Sequence, residues 1–380
     1  MKRKVRKQIM VVQSWHLELS HSVHRGICDY VRLHPDWETS CIGVDRLELE
    51  DTTRWAVDGM IASMSRDQYE LLTSTNYPVV STYASKSIPE TIPQVDEDHT
   101  KTGILAADYL QTLGHENFAC IYPNFASAHT IRAESFAKRL QENGMETSML
   151  GIKAMKLHEC DVNVGQWLHD LPKPVALFAT NDRTARQLLT LCLETQITVP
   201  NDIAILGCEN DLGLCEGVTP AISSIQLPYR RIGFEAARTL DMLMQGKKIK
   251  KPRTLFPPER VVTRASTDTL ASPDPHLRRA VQYIRDHVDE KIDVHALAAH
   301  AGLSLRVLQG RFQTELNRSP LEEARRAKIE RIKDLLISTD LTLEEIADHT
   351  GFSTICYLGR LFKNYTNVTP GQYRKEHRLR

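Results

Sequence analysis

The sequence contains none of the short motifs that mark the common classes of enzyme. We find no GxSxG elbow, no P-loop, no HExxH pair and no glycine-rich dinucleotide fingerprint. Aspartate and histidine are frequent but form no catalytic pattern, so we predict that the chain is not an enzyme and carries no cofactor. The eight cysteines include no CxxC pair and no zinc-like spacing, which favours reduced, mostly buried thiols over disulfides.

A bound metal is not indicated either. His16, Glu18, His21 and His24 lie close together in the sequence and are suitable ligand types, but their spacing matches no defined coordination pattern. We therefore predict no metal site.

Long apolar runs are also missing. The basic start, Met1–Lys7, is similar to the first part of a signal peptide, but the apolar run that follows, Ile9–Val12, is too short for a signal peptide core or a membrane span. We predict a cytoplasmic protein without membrane contact.

The 380 residues are enough for two or three domains with full cores. The net charge is zero, but the charges are unevenly distributed. From Leu277 to the end there are 18 Lys/Arg against 14 Asp/Glu, leaving 30 against 34 in residues 1–276. A mildly basic C-terminal module on an acidic body favours nucleic-acid contact at one end only.

Short β-rich runs alternate with helical stretches from Gln8 to about Pro257. The predicted strands are Ile9–Val12, Gly59–Ala62, Pro78–Ser81, Phe118–Tyr122, Val175–Ala179 and Ile203–Gly207. The predicted helices are Val23–Leu33, Thr102–Leu113, Ile131–Asn143, Thr184–Thr195 and Arg231–Gln245. This alternation predicts an α/β fold with parallel sheets, whose ligands bind at the carboxyl ends of the strands. The length of the region favours two similar lobes with a cleft between them.

One pattern occurs twice near the C-terminus. Leu297–Ser304 reads LAAHAGLS, and Ile346–Ser353 reads IADHTGFS. In each copy a short helix ends at a glycine that can adopt a left-handed conformation, and a Ser or Thr suited to cap the next helix follows. This is the helix-turn-helix signature. Two copies predict an all-α domain that reads double-stranded DNA in two major grooves.

Helix signals frame both copies. A helix is predicted at about Leu277–Val288, and Asp293 after it is suited to start the first helix of the first copy. Thr342–Glu345 is suited to start the first helix of the second copy. Ser319–Glu322 opens a long helix to about Ile337. We expect its apolar positions to bridge the two halves: Leu321, Ala324, Ile332, Leu335 and Leu336.

The first recognition helix has a buried stripe of Leu308, Phe312 and Leu316 at a spacing of four residues. The residues predicted to contact DNA are Arg306, Gln309, Gly310, Arg311 and Gln313. Arg pairs with guanine and Gln with adenine in the major groove. The alternative is that Arg306 meets only phosphate and Gln309 only water.

In the second recognition helix, Leu358 and Phe362 are predicted to be buried and Tyr357 partly so. The residues predicted to contact DNA are Ile355, Cys356, Gly359, Arg360 and Lys363. Ile355 suits a thymine methyl group, and Arg360 suits either phosphate or guanine.

Both recognition helices contain a Gly-Arg pair, Gly310-Arg311 and Gly359-Arg360. A glycine inside a helix costs ~1 kcal/mol relative to alanine. Either DNA or the preceding helix approaches these glycines closely, and we favour the preceding helix.

Several features of the N-terminal region have a recognisable order. They are Asp98 before a helix, Leu113–His115 before a strand, Arg132 with Phe136, Thr180–Asp182, and Val199–Asn210. In these features the region resembles the sugar-sensing core of LacI-type repressors and periplasmic binding proteins, which implies a two-lobed sensor domain. That family usually has Asp where Glu209 stands.

The C-terminal region has its own set of landmark residues. They are Ile346-Ala, Gly351-Phe352, Tyr357-Leu358, Arg360, Phe362-Lys363, Thr369-Pro370 and Tyr373-Arg374. Here the chain resembles the AraC/XylS family of DNA-binding domains, and the combination with the N-terminal region resembles regulators of xylose operons. We place the sensor at residues 1–266, a linker at 267–276 and the DNA-binding domain at 277–380.

Effector contacts are expected in two places. Trp15, His16, Ser20 and His21 lie in the loop region after the first strand. The alternative for Trp15 is a ring packed on its own lobe. The residues predicted from the family pattern and from the strand ends are Arg132, Asp182, Glu209 and Asn210, with a surface salt bridge as the alternative for Arg132.

The resemblance implies a transcription regulator of carbohydrate catabolism. It would act on a DNA operator as a homodimer, contact RNA polymerase as an activator and respond to a small sugar, with a pentose such as D-xylose expected. The alternatives are a solute-binding receptor and a regulator that responds to a small molecule other than a sugar.

Overall fold

The structure of the protein is a computed structural model. It describes residues 6–15, 18–44, 56–63, 69, 77–83, 88–153, 157, 163–249, 252–268, 274–339, 341–352 and 354–377. The chain forms two compact units, Met1–Asp268 and Thr269–Arg380. No helix in these ranges is long and apolar enough to cross a membrane.

The first unit contains two six-stranded sheets. The strands are β1 Lys7–Gln13, β2 Trp37–Gly43, β3 Gly59–Ala62, β4 Val79–Ser81, β5 Gln94–Glu97, β6 Asn117–Pro123, β7 Thr147–Ile152, β8 Val175–Ala179, β9 Ile203–Glu209, β10 Ser223–Gln226, β11 Arg253–Phe256 and β12 Arg260–Val262. One sheet has the order β11-β5-β4-β3-β1-β2, and the other has the order β12-β10-β9-β8-β6-β7. Neighbouring strands are parallel except β10 and β12.

Helices cover these sheets. They are α1 Glu18–Leu33, α2 His99–Thr112, α3 Ser127–Glu142, α4 Val164–Asp170, α5 Asp182–Glu194, α6 Leu212–Cys215 and α7 Tyr229–Met244. α1 packs against α7 beside the first sheet, and α2 packs against α3 beside the second. The predicted α/β fold with two lobes and parallel sheets is therefore confirmed.

The chain passes between the two sheets three times. It leaves the first sheet after β5, returns through α7 after β10, and crosses again between β11 and β12. Tyr229, the first residue of α7, packs against core clusters of both lobes. The carboxyl ends of β5, β8 and β9 therefore lie near the region where the lobes join.

The second unit is helical. Its helices are α8 Pro275–Asp286, α9 Val294–His300, α10 Leu305–Leu316, α11 Pro320–Ser338, α12 Leu343–His349, α13 Ile355–Thr366 and α14 Pro370–His377. The Asp293 side chain caps α9, and Thr342 with Glu345 forms the predicted capping box at α12. Both helix-turn-helix pairs, α9–α10 and α12–α13, are present.

Helix α11 joins two separate cores in this unit. Ala324 belongs to the core under α10, whereas Ile329, Ile332 and Leu336 belong to the core under α13. Apolar residues of α11 thus connect the two halves as predicted, but Leu321 is not one of them. That side chain is 46% exposed because it lies in the first turn on the outer side of the helix.

Folded structure extends into the predicted linker 267–276 from both sides. Thr267 is buried in a short 3-10 helix, where its hydroxyl group lies 2.7 Å from Tyr109 Oη. Asp274 caps α8, which begins at Pro275, two residues before the predicted start of the domain. Residues 269–273 lie outside the described ranges.

Candidate functional site

The two recognition helices begin in the same way. The side chain of Ser304 accepts a hydrogen bond from the Val307 N–H, and that of Thr354 accepts one from the Tyr357 N–H. In the second copy the cap is therefore Thr354, one residue after the predicted Ser353, which lies outside the described residues.

The same pattern of burial is found in both recognition helices. Leu308 and Phe312 are fully buried in α10, and Leu358 and Phe362 are fully buried in α13, as the spacing predicted. The residues that are predicted to contact DNA and are exposed are Arg306, Gln309, Gly310, Gln313, Cys356, Arg360 and Lys363. Each helix thus offers one polar face to an external partner.

Three residues of the predicted set have different environments. Arg311 is half-buried and pairs with the Asp274 carboxylate at the start of α8. Ile355 is half-buried and packs against the core under α13. Gly359 is also half-buried.

The two glycines of the Gly-Arg pairs have open space beside them. A Cβ atom built on Gly310 or on Gly359 meets no atom within 4 Å outside the backbone of its own helix. The preference for close packing on the preceding helix is therefore wrong. The glycines of the turns behave differently: Gly302 and Gly351 both have left-handed backbones, and a Cβ on Gly351 would lie 2.2 Å from the carbonyl oxygen of Asp289.

Arg132 is the centre of a buried polar cluster in the first unit. Its Nε–H donates to Glu97 Oε1 at 2.8 Å, and Nη2 donates to the same oxygen. Its Nη1 donates to the Thr180 carbonyl oxygen at 2.7 Å and lies 3.5 Å from Glu209 Oε1. The guanidinium group, only 3% exposed, thereby ties α3 to the carboxyl ends of three strands.

A single guanidinium group faces two carboxyl groups here. Burial by itself would raise the pKa of Glu97, but Arg132 and His99 together hold that pKa below its usual value. Burial raises the pKa of Glu209 to about 8, against the opposing effect of Arg132, although a fifth (20%) of its side chain is exposed. Among the described residues, Glu97 Oε2 and Thr180 Oγ1 are buried without a hydrogen-bond partner. The cluster therefore retains acceptors and a hydroxyl group for a small polar ligand.

Asp182 and Asn210 are adjacent to this cluster but are held by the protein. Asp182 is completely buried; its Oδ1 accepts from Ser224 Oγ at 2.6 Å and its Oδ2 from the Asp211 N–H at 2.8 Å. Burial raises the pKa of Asp182 to about 7. The Asn210 amide donates to Gln226 at 2.7 Å and accepts from Arg264 at 2.9 Å.

The loop after β1 is organised around Trp15. Its indole N–H donates to the Ile42 carbonyl oxygen at 2.9 Å, and the ring packs against the core of its own lobe. The exposed His21 ring lies 5.9 Å from it, and Ser20 is buried at the start of α1. This is the packing that the sequence offered as the alternative for Trp15. His16 lies outside the described residues.

Glu97 and His99 are the site residues that the sequence analysis missed. They flank Asp98, which the sequence did indicate, at the end of a strand in which three of the four residues are polar. His99 pairs with Glu97 and Asp96; burial alone would lower the pKa of His99, but these two carboxylates raise it to about 9. A run of three acidic residues, Asp96–Asp98, directly before a predicted helix was the available signal.

Comparisons with known proteins cover both units. Residues 107–267 match the family described as periplasmic binding protein-like domain, and residues 297–376 match a helix-turn-helix domain family. The xylose operon regulatory protein of Haemophilus influenzae is 28% identical over 330 residues, which cover 84% of this chain and 85% of that protein. The protein of the same name from Escherichia coli is 27% identical over 363 residues, 93% of each chain.

A solved structure has the same arrangement of domains along its chain. It is a xylose-binding transcription activator with a TM-score of 0.71, 24% sequence identity, and coverage of 98% of this chain and 99% of that one. The named relatives are transcription regulators. The chain is therefore a DNA-binding transcription regulator that joins a region matching the periplasmic binding protein-like domain family to a region matching a helix-turn-helix domain family.

Proposed function

We propose that this regulator controls carbohydrate catabolism genes in response to a small sugar, a pentose such as D-xylose. The observation that supports this most directly is the buried cluster of Arg132, Glu97 and Glu209 at the strand ends of the first unit. Vicinal hydroxyl groups are matched by carboxyl groups, which accept hydrogen bonds in either protonation state, and by a planar guanidinium group. The similarity to xylose operon regulatory proteins and to a xylose-binding activator supports a xylose response in particular.

The effector site extends from this cluster. Arg132 and Glu209 bind hydroxyl groups, with Glu97 holding the guanidinium plane in place. The predicted effector contacts after β1 are Trp15, His16, Ser20 and His21, and the indole of Trp15 is fixed there by its hydrogen bond to the Ile42 carbonyl oxygen. Asp182 and Asn210 stabilise the β9 and β10 ends beside the effector.

The operator is read by α10 and α13, which enter two major grooves. Arg306, Gln309 and Gln313 read bases from the first helix, with Gly310 permitting close approach. In α13 the residues that perform this role are Cys356, Gly359, Arg360 and Lys363. Ile355 packs on the buried side of this helix. Arg311 orients α10 through Asp274.

The mechanism is a shift between lobe arrangements. An effector shifts this equilibrium only if it binds one arrangement more tightly. In the cytoplasm, closure of residues 1–266 on the sugar repositions the reader, residues 277–380, through the segment 267–276. A homodimer presents two such readers to a paired operator and contacts RNA polymerase as an activator.

Calorimetry on the full chain tests the sugar claim. Titration with D-xylose, other pentoses and hexoses should give saturable heat with a pentose. Glu209→Ala should weaken this binding at least about tenfold, a loss of ~1.4 kcal/mol. Arg139→Ala, on the same helix as Arg132 but in an ion pair with Asp108 on the surface, should leave it unchanged. Absence of heat with every pentose and hexose would favour an effector other than a sugar.

A mobility-shift assay tests the reader. Arg306→Ala and Arg360→Ala should each weaken operator binding, and a variant that loses a phosphate contact should also lower the slope of affinity against salt by about 1. If both variants bind like wild type at every salt concentration, α10 and α13 are not the reading helices. A chain that binds sugar but no DNA would be a solute receptor.

A further inference from the structure

Helix α10 presents a large apolar side chain on its polar face. Val307 is 44% exposed, next to Arg306 in the first turn. Gly310 and Thr314 follow it at spacings of three and seven residues, so the three lie on one stripe of the helix. Both are exposed, and this stripe lies on the side away from the buried Phe312. Val307 therefore belongs to the face that is free for DNA.

Helix α13 repeats this arrangement with a different residue. Tyr357 is 39% exposed and occupies the position equivalent to Val307, three residues after the N-cap. Arg360 and Asn364 continue its stripe at the same spacings and are also exposed. Two independent sequences thus place an apolar group at the same outward position of a recognition helix.

The Tyr357 ring contacts two neighbouring side chains. Its centroid lies 5.6 Å from that of Phe352, and the Arg360 guanidinium carbon lies 5.7 Å from the ring centroid. A side chain fixed in this way loses little conformational entropy on binding. Ile355, the residue suggested by the sequence for a thymine contact, is half-buried and packs against the core, so its side chain is less accessible than that of Tyr357.

We propose that Val307 and Tyr357 determine operator specificity by each contacting the C5-methyl group of a thymine. This inference rests on the proposed DNA-reading faces of α10 and α13 and adds the chemical group that each reads. The thymine methyl is the apolar group on the major-groove edges of the base pairs, and apolar side chains recognise it by contact. Arg306 and Arg360 are exposed on the same two helices, and positive charge there favours DNA over a protein as the occupant of these faces.

The experiment removes methyl groups from the DNA. The full-length chain selects its tightest duplex from a random pool, and each thymine of that duplex is then replaced singly by deoxyuridine. At one thymine, replacement by deoxyuridine should weaken wild-type binding about fourfold, as expected for one buried methyl group. The same replacement should leave the affinity of the Val307→Ala variant unchanged. A second thymine should show the same dependence on Tyr357→Ala.

Two further variants make the result decisive. Leu321→Ala, which removes a side chain of similar exposure on α11, should retain both uracil effects. Tyr357→Phe keeps the ring and should also retain them, which separates loss of the contact from loss of the fold. If the loss of affinity caused by uracil and the loss caused by the side-chain substitution add independently at every thymine, neither side chain contacts a thymine methyl group. That result would overturn the inference but not the proposed DNA binding. Failure of the wild type to select any duplex would overturn the proposed reading faces themselves.

Discussion

Asp182 keeps a carboxyl group in a completely buried position beside Ser224 and the Asp211 N–H. Its pKa is raised to about 7 by burial, whereas an unfolded chain has an Asp pKa of about 3.9. The folded state therefore holds a proton that the unfolded state releases between these values. The stabilisation is present in full below about pH 4 and is lost as the pH rises through 7.

This predicts a specific change for Asp182→Asn. The amide does not titrate; its oxygen can accept from the Asp211 N–H, and its NH2 group can donate to Ser224 Oγ. The unfolding free energy of the variant should therefore fall less with rising pH. Between pH 5 and 7 the two slopes should differ by up to ~1.4 kcal/mol per pH unit. Urea unfolding of both proteins at several pH values measures the difference. Parallel curves would mean that Asp182 is ionised in the folded protein throughout this range.

Replacing Gly310 by alanine should have opposite effects on stability and on operator affinity. Since nothing lies within 4 Å of a Cβ built there, Gly310→Ala should stabilise the free protein by ~1 kcal/mol through helix propensity. The added methyl group lies on the reading face, so operator affinity should fall, by about tenfold. Thermal unfolding and a binding titration on one preparation measure both effects.

Gly371 provides the control for this prediction. It also has no atom within 4 Å of an added Cβ, but it lies at the start of α14, outside the recognition helices. Gly371→Ala should keep full operator affinity. If Gly310→Ala also keeps it, DNA does not approach α10 closely at this residue.

Some residues of the candidate sites could be predicted from the sequence, and others could not. The outward residues Arg306 and Arg360 followed from helical spacing, because a helix fixes which side chains share a face. The partners of Arg132 did not follow, since Glu97 lies 35 positions away, at the end of a strand of the other sheet, and becomes its neighbour only when the two lobes meet. Pairing across elements is a property of packing and leaves no local pattern.

Among the elements, α1 and α7 form the closest helix crossing of the first lobe. A Cβ on Gly26 would lie 1.8 Å from the Arg230 carbonyl oxygen, and one on Gly233 would lie 1.8 Å from that of Val23. Gly26→Ala should therefore force the helices apart and destabilise the protein by about 1–3 kcal/mol. Urea unfolding measures this loss. Gly165→Ala, where the nearest atom lies at 3.4 Å, should cause none, and equal stability of both variants would contradict the tight crossing.

Elements with strong local signals were predictable. The capped helices α9 and α12 began where their Asp293 and Thr342 caps indicated. Strand β5 was missed because Gln94–Glu97 is polar in composition, although all four residues are buried. Its burial results from the hinge position between two lobes, where polar groups find partners. A hydrophobicity pattern cannot register such a strand.

At the scale of the whole molecule, sensor and reader are separate units on one chain. The coupling between sugar binding and operator binding is a free energy, so each ligand changes the affinity for the other by the same factor. A pentose that changes operator affinity by about 5–150-fold must itself bind more tightly or more weakly by the same factor when the operator is present. Calorimetry of the sugar with and without operator DNA, together with mobility shifts at several sugar concentrations, measures both factors. Sugar binding without any change in operator affinity would contradict the coupling.

The pairing of Arg311 with Asp274 links the entry of the second unit to its first reading helix. Asp274 caps α8 directly after the segment 269–273, so the chain arriving from the sensor meets the reader at this carboxylate. The same two helices also share a core, in which Leu277 and Ile284 of α8 lie with Leu308 and Phe312 of α10. A displacement of the chain just before Asp274 would therefore act on α8 and α10 together.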